Sequence, residues 1–431
     1  MYSSRENSFS LSNRLGFSVF FPTFAHLFEN LMTSKKKIIV ASAVFPPEPV
    51  VSASLSFDIA TELTRQGAEV EVLSPRPSRP LGFSFPKSRT KHPFKHTVVD
   101  SFVCPESKLW GRFKESYSFG KALSKHIKEH HDEINVIYAV IWPIFAQWLM
   151  ARTAKRYHIP YCLHIQDVYP ESYCQKVNKW VGRLLKALFL PMDRYVLRHA
   201  TKVIAISPSE ADYLSVSRGL DKRNVSVVRN WQDDELFARY CQPISAHQHK
   251  RRFMYLGSIN PTADLEFVIR AFSHVDASET RLSVIGNGSS RKHCEELAME
   301  LGTDVEFGRV PRNEVPLKQR EADVLILSLK KGIAKTATPS KLTAYLYSGR
   351  PIIACVDLDS DSAEIIRDSK SGIVVEPGNG DALLEAISKM NSYSIEQLNQ
   401  MGKDGFDFAM KELSRRENLS KITQLLLSCM E

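Results

Sequence analysis

The stretch 336–355, TATPSKLTAYLYSGRPIIAC, sets a hydroxyl and an ammonium side by side at Ser340 and Lys341. Pro339 suits a first helical position, Leu342, Tyr345 and Leu346 fall on one helical face, and Gly349 and Pro351 end the run. Residues 351–355 follow as a short apolar strand. A helix that starts beside a strand's carboxyl end offers free backbone N–H groups and the positive end of its dipole. With Ser340 and Lys341 there, the start is an anion site suited to a phosphate or diphosphate. A plain helix start with a solvated lysine explains the same residues equally well, so the rest of the chain must decide.

Other groups with chemistry stand where strands end. His164 and Asp167 follow an apolar run in HIQDVYPES, with Glu171 close behind. A carboxylate there could orient a sugar or stabilise developing positive charge. His164 reads equally as a satisfied core histidine, and Glu171 as an acid at a helix start. The stiff loop FPPEPVVSA after the first strand brings Pro47, Glu48 and Val51 to another strand end, where binding loops sit. It is not Gly-x-Gly-x-x-Gly, which argues against a dinucleotide fingerprint. Asn230-Trp231 closes the first half of the chain at a hinge. In the second half, Gly257-Ser258, Gly286-Asn287-Gly288 and Gly308 to Val310 each end a strand. Their convergence on one edge is more specific than any one of them. Glu364 opens a later helix. No metal-ligand constellation, Walker loop or Gly-x-Ser-x-Gly is present.

The elements that must position these groups alternate. From residue 37, apolar runs of strand length alternate with amphipathic stretches, the mark of parallel sheets wrapped by helices. Strands are expected at 38–43, 69–73, 98–104, 136–141, 161–165, 202–206 and 225–228. After a polar stretch at 231–250 the alternation restarts, with strands at 252–256, 281–285, 305–307, 324–327, 351–355 and 373–375. The fold class is α/β, with two doubly wound Rossmann-like domains in tandem facing a central cleft, because such sheets bind ligands at strand carboxyl ends. The first domain spans 32–230 and the second 231–393, with 231–250 as linker. Residues 394–431 form a charged helical segment. Residues 1–31 read as a disordered extension or a start assigned too far upstream, since Met32 opens Met-Thr-Ser-Lys-Lys-Lys ahead of the first strand.

Composition narrows the partners. The 431 residues carry a formal net charge of +9, which suits an anionic partner such as a nucleotide or a phospholipid surface. No nucleic-acid motif or basic run with interleaved aromatics occurs, so nucleic acid is not expected. The seven cysteines are scattered and none forms Cys-x-x-Cys, which fits a reducing compartment. Residues 174–199 combine an apolar stripe with lysines and arginines, either a helix for an anionic membrane surface or a core stripe with a solvated face.

Taken in order, the pieces FPPEPVVSASLSFDIATELTRQGAEVEVLSPRPSRP, HIQDVYPES, VIAISPSEADYL, VVRNWQDDELF, YLGSINPTADLEFVIRAF, VIGNGSSRKHCEELA, VEFGRVPRNEVP, ADVLILSL, TPSKLTAYLYSGRPIIA and SAEIIRDSKSGIVVEPGNGDAL resemble bacterial glycosyltransferases of the large group-4 class. The nearest look is to the branch that assembles O-antigen, capsule and colanic acid, and the pieces cover nearly all of 36–387. The resemblance implies the GT-B fold and retaining, metal-independent transfer of a sugar from a nucleotide-sugar donor, with no cofactor. The acceptor would be a saccharide, lipid-linked, at the cytoplasmic face of the cell membrane. It implies acceptor binding in the first domain, around Pro47, Glu48 and Val51, and donor binding in the second, with the C-terminal helix crossing back to the first domain. Asp167, with His164, would take the catalytic place. Lys341, Ser340, Gly257 and Ser258 would hold the diphosphate, and Gly286, Val310 and Glu364 the nucleoside.

Departures from the pattern are equally specific. The glycine pair of the first loop is Val50-Val51, the arginine after Gly257 is Ser258, and no lysine follows in 261–264. The Glu-x7-Glu signature falls on Thr336 and Ala344. Two other readings stay open on these losses. One is a nucleotide-sugar epimerase on the same double fold. The other is a non-catalytic partner subunit that binds nucleotide sugar.

Overall fold

The computed structural model describes residues 37–79, 81–85, 91–106, 108–142, 144–174, 177–245, 250–334 and 339–430. The expectation for residues 1–31 falls outside them, as does Thr336. The first half runs β1 (Lys37–Ser42), α1 (Val51–Arg65), β2 (Glu69–Ser74), β3 (Lys95–Val98), α2 (Leu109–Glu129), β4 (Ile134–Val140), α3 (Phe145–Arg156), β5 (Tyr161–His164), α4 (Glu171–Cys174), α5 (Lys179–His199), β6 (Lys202–Ala205), α6 (Pro208–Arg218) and β7 (Val225–Val227). All seven strands are parallel, in the order β3-β2-β1-β4-β5-β6-β7.

The second half runs α7 (Asp234–Tyr240), β8 (Arg251–Leu256), α8 (Leu265–Phe272), β9 (Thr280–Ile285), α9 (Arg291–Glu300), β10 (Val305–Gly308), α10 (Val315–Gln319), β11 (Val324–Ser328), α11 (Ser340–Tyr347), β12 (Ile352–Cys355), α12 (Asp361–Asp368), β13 (Gly372–Val375) and α13 (Gly380–Ser392). Its six strands are also parallel, in the order β10-β9-β8-β11-β12-β13. Strand order reverses between β1 and β4 in one sheet and between β8 and β11 in the other. A crevice opens at such a reversal because neighbouring strand-end loops leave in opposite directions. The Gly257-Ser258 loop and the approach to Lys341 are therefore the two lips of the second sheet's crevice.

Alternation along β1 shows how helices come to cover both faces. Ile38 and Val40 face α1, in a buried cluster with Ile59 and Leu63. Ile39 and Ala41 face the opposite way, in a cluster with Phe119 and Leu123 of α2. The chain then ends in α14 (Ile395–Glu412) and α15 (Arg415–Ser428). Leu419, Ile422 and Leu426 of α15 belong to the same cluster as Ile38 and Ile59, so the last helix packs on the first sheet.

Four expected elements differ. The strand looked for at 98–104 lies at β3, where Ser74 Oγ meets His96 Nε2 at 2.9 Å and extends the edge pairing. Helix α2 begins at Leu109, eight residues before the helix that the sequence pattern suggests over 117–130, because Phe113 packs edge-on against Tyr173 and Phe189. The polar stretch 231–250 contains α7, capped by Asp233, whose carboxylate accepts the Leu236 N–H at 3.0 Å. Pro339 is the N-cap of α11, not its first residue, and Ser340 takes that place.

Candidate functional site

A cleft of about 1040 Å³ lies between the sheets. Pro46 and Pro49 of the loop after β1 line one wall, and Gly257, Ser258, Ser340 and Lys341 line the other. Trp231 and Arg415 lie where the two halves join. Thus two pairs of residues far apart in sequence, Gly257-Ser258 and Ser340-Lys341, expected at one phosphate, share one cavity.

Lys341 sits one residue into α11, and its ammonium bonds to the Tyr255 phenol and lies 3.4 Å from the Ser258 carbonyl. It also stands 4.4 Å from the centre of the Tyr255 ring, a cation–π contact. Among the described residues no carboxylate pairs with it. Burial without a counter-charge pushes its pKa down to about 8. Gly257 is what lets the side chain pass: a Cβ there would stand 2.2 Å from Lys341 Cε.

The amides of this wall correct part of the expectation. The Gly257 N–H donates to the Ile285 carbonyl at 2.9 Å, and the Gly286 N–H donates to Gly308 at 2.9 Å. Both are extensions of the sheet and are not free donors for a ligand. Arg291 reinforces them, donating to the carbonyls of Gly286 at 2.6 Å and Gly308 at 2.9 Å. Val310 is half-buried against the cluster that includes Leu327. Glu364 is exposed in the first turn of α12 and does not line the cleft. Ala344, where an acid of the family signature would fall, lines the cleft one turn beyond Lys341.

The first sheet's polar residues are engaged differently. His164 is buried, with Nδ1 2.6 Å from the Tyr138 hydroxyl and Nε2 3.1 Å from Gln166 Nε2. Burial pushes its pKa down to about 3. A neutral imidazole with both nitrogens bonded is a strut, which matches the reading of His164 as a satisfied core histidine and leaves it no free nitrogen for a place beside Asp167. Gln166 in turn accepts from Asn230 Nδ2 at 2.7 Å, which ties Asn230 to the same chain of bonds. Asp167 is exposed on the loop three residues beyond His164. Its charge acts on Glu210, whose pKa burial pushes up to about 8 with the charge of Asp167 adding to it.

The acceptor loop is also partly turned inward. Glu48 is buried and accepts the N–H groups of Ser78 at 2.7 Å and Arg79 at 2.8 Å. Pro47 is exposed, and Val51 opens α1.

Three groups were not anticipated from sequence. Arg218, 1% exposed, reaches Glu171 at 2.7 Å and 3.0 Å, Asp193 at 2.6 Å and the Tyr169 carbonyl at 2.7 Å. Burial pulls the Glu171 pKa upward, yet the hydrogen bonds and charge of Arg218 hold it down at about 2. Asp58 accepts from Trp231 Nε1 at 2.9 Å and from Arg415 at 2.7 Å, joining α1, the hinge and α15. Ser209 of α6 donates to Asp361 of α12 at 2.5 Å, across the two halves. Each partner lies more than 20 residues away, and a single charged residue leaves no local pattern.

Two family models match the chain. A glycosyl transferase 4-like domain matches residues 56–231, and a glycosyl transferases group 1 domain matches residues 250–392. WbjE of Pseudomonas aeruginosa, named as a glycosyltransferase, is 24% identical over 281 residues, covering 62% of this chain and 68% of that protein. WcaI of Escherichia coli (strain K12), named as a colanic acid biosynthesis glycosyl transferase, is 22% identical over 378 residues, covering 81% and 91%. Among solved structures, HepE of Anabaena in complex with UDP superposes with a TM-score of 0.63 at 15% identity, over 91% of this chain and all of that one. Two parallel sheets facing a cleft, with a family model matching each half, place the chain among the glycosyltransferases of the GT-B fold.

Proposed function

We propose that the protein transfers a sugar, with retention, from a nucleotide-sugar donor to a saccharide acceptor carried on a lipid, in surface polysaccharide biosynthesis. One observation carries the donor half of this reading. Lys341 holds a desolvated ammonium with no carboxylate paired to it among the described residues, on the wall of a cleft large enough for a nucleotide sugar. Such a charge is compensated when a diphosphate arrives. HepE is a protein of the same fold that has been solved with UDP and with UDP-glucose.

In this scheme the bond between the anomeric carbon and the diphosphate oxygen breaks. Lys341 compensates the charge that develops on the leaving diphosphate, and Asp167 stabilises the positive charge at the sugar. The acceptor hydroxyl bonds to the anomeric carbon on the same face, and its proton passes to the leaving oxygen. Ser340 and Ser258 complete the diphosphate pocket. No proton transfer is assigned to His164.

Membrane attachment belongs to the same proposal. Among the described residues no helix is long and apolar enough to cross a membrane. On α5, however, Trp180, Leu184 and Leu188 are 75%, 70% and 61% exposed at steps of four, so they form one apolar stripe. Lys179 and Arg183 flank it. An exposed apolar stripe with basic neighbours suits an anionic bilayer surface.

The test is a thermal-shift series with nucleoside diphosphates and nucleotide sugars, with and without Lys341→Ala. A ligand at about 100 times its Kd stabilises the folded protein by about 2.7 kcal/mol. The expected result is a shift with one nucleotide that the variant loses, followed by transfer to a lipid-linked saccharide. Folded protein that shifts with no nucleotide would overturn the donor reading, and a shift without transfer to any acceptor would favour the non-catalytic subunit that binds nucleotide sugar.

A further inference from the structure

Two of the cysteines meet where the last helix lies on the first sheet. Cys162 of β5 and Cys429, the C-cap of α15, are 267 positions apart, and their sulfurs stand 3.3 Å from each other as free thiols. Cys162 has no exposed surface, whereas Cys429 is half-buried and can be reached from solvent. Leu419, Ile422 and Leu426 already seat α15 by apolar packing. That packing asks only for a small apolar side chain at each of the two places, and two thiols in contact add a chemistry that alanine would not.

The geometry and the charges favour that chemistry. A disulfide needs its sulfurs about 2.0 Å apart, so the pair has to close by roughly 1.3 Å. The last turn of α15 supplies such a movement, because helix ends are held less firmly than helix interiors. The two thiols also differ in acidity. The hydrogen bond with Cys162 pulls the Cys429 thiol down against burial, and the charge of Lys202, the sheet neighbour of Cys162, adds to it. The same hydrogen bond and burial push Cys162 up. A reachable thiol poised toward thiolate, beside a shielded one, is the arrangement of an attacking and a resolving cysteine.

We propose that Cys162 and Cys429 form a peroxide-sensitive pair, in which Cys429 is oxidised first and Cys162 resolves it to a disulfide that fastens the end of α15 to β5. The Cys429 thiolate attacks one oxygen of hydrogen peroxide and the O–O bond breaks. With one proton taken up, the products are a sulfenic acid and water. The Cys162 sulfur then attacks the Cys429 sulfur, the S–O bond breaks, and the hydroxyl leaves as water with the Cys162 proton. Two thiols lose two electrons and the peroxide becomes two waters. A dithiol reverses the bond by exchange. Neither sulfur lines the donor cleft, and the proposal does not depend on the transfer reading. The bond closes a loop that contains the whole second half of the chain, so α15 can no longer come away from the first sheet while the bond lasts.

The test is to treat fully reduced, folded protein with a few equivalents of hydrogen peroxide and to map its cysteines by peptide mass spectrometry. Free thiols, counted after denaturation, should fall by two from the seven of the chain. A Cys162–Cys429 cross-linked peptide should appear and be lost again on adding dithiothreitol. The oxidised parent should melt at a higher temperature than the reduced parent, and neither Cys162→Ser nor Cys429→Ser should show that difference. Cys162→Ser should accumulate sulfenic acid at Cys429, trapped with dimedone, whereas Cys429→Ser should leave Cys162 unlabelled. The map of the parent needs no variant, so it decides even where a substitution at the buried Cys162 prevents folding. Three results would overturn the proposal: no Cys162–Cys429 peptide from folded protein, the same yield of that peptide from urea-unfolded protein, or Cys429 passing to sulfinic acid with Cys162 still reduced. An oxidised parent that melts with the reduced one would overturn the fastening of α15.

Discussion

The carboxyl ends of the two sheets hold similar residue types in opposite states. At the first sheet, charged and polar side chains have protein partners: Glu48 holds two backbone amides, His164 bridges Tyr138 and Gln166, and Glu171 is gripped by Arg218. At the second, Lys341 has a phenol and a carbonyl but, among the described residues, no opposite charge. A charge satisfied from within is architecture, and removing its partner costs stability. A charge left uncompensated in a cavity already costs stability, which a ligand of opposite sign restores.

Stability and binding should therefore respond in opposite ways at the two ends. The largest effect is expected for Arg218→Met, which strands Asp193 as a buried acid and leaves half-buried Glu171 with Tyr213 and Lys186. A loss of about 3–5 kcal/mol should appear in urea denaturation, and a loss under 1 kcal/mol would break the contrast at its strongest point.

His164 comes next, through pH. Its folded pKa of about 3 lies below the ordinary value of 6.5. Between these values the unfolded chain binds the extra proton, so stability is complete above pH 6.5 and falls as pH drops toward 3. The slope approaches about 1.4 kcal/mol per pH unit for one group. Denaturation curves from pH 7 to pH 5 should be flatter for His164→Asn than for the parent. A His164 that worked in proton transfer would instead impose its titration on the rate, so the pH–rate profile from 6 to 8 should lack a step that this variant removes.

Lys341→Met should reverse the pattern. Nucleoside-diphosphate affinity should fall at least about tenfold, equivalent to about 1.4 kcal/mol, while thermal stability holds or rises. Donor affinity in the parent should decline as pH rises through about 8, where the ammonium loses its proton. From there to the ordinary lysine value of 10.5 the unfolded chain binds the extra proton, so parent stability should rise with pH. The variant should show neither trend. The smallest effect is Glu48→Gln, which weakens two charge-assisted bonds to the 78–79 backbone. It should lower stability by about 1 kcal/mol and leave donor affinity unchanged.

The same contrast explains how much the sequence disclosed. Strands were legible because a parallel sheet buried on both faces needs continuous apolar runs, and long helices because their period persists. Strand-end loops follow from those two signals, which is why Lys341, Ser340 and Ser258 could be assigned from sequence to one cleft, which they do line. Whether a side chain at such a loop faces a ligand or a partner depends on residues tens or hundreds of positions away. Glu171 meets Arg218 across 47 positions, and Asp58 meets Arg415 across 357. Neither has a local signature, so His164 and Glu48 were assigned to chemistry while Arg218 passed unnoticed. The seven-residue helix α7 was missed for a related reason: two turns are too few to establish a period.

The return of α15 has a mechanical meaning. The chain passes between the halves twice, once near Trp231 and again near Ser414. The two passages are fastened together where the Arg415 N–H donates to Asp234 at 2.9 Å. One tether leaves a lobe free to swivel in every direction, whereas two adjacent ones act as the pins of a door. Any opening of the cleft would then be rotation about one axis, carrying Lys341 along a fixed arc to and from the opposing wall.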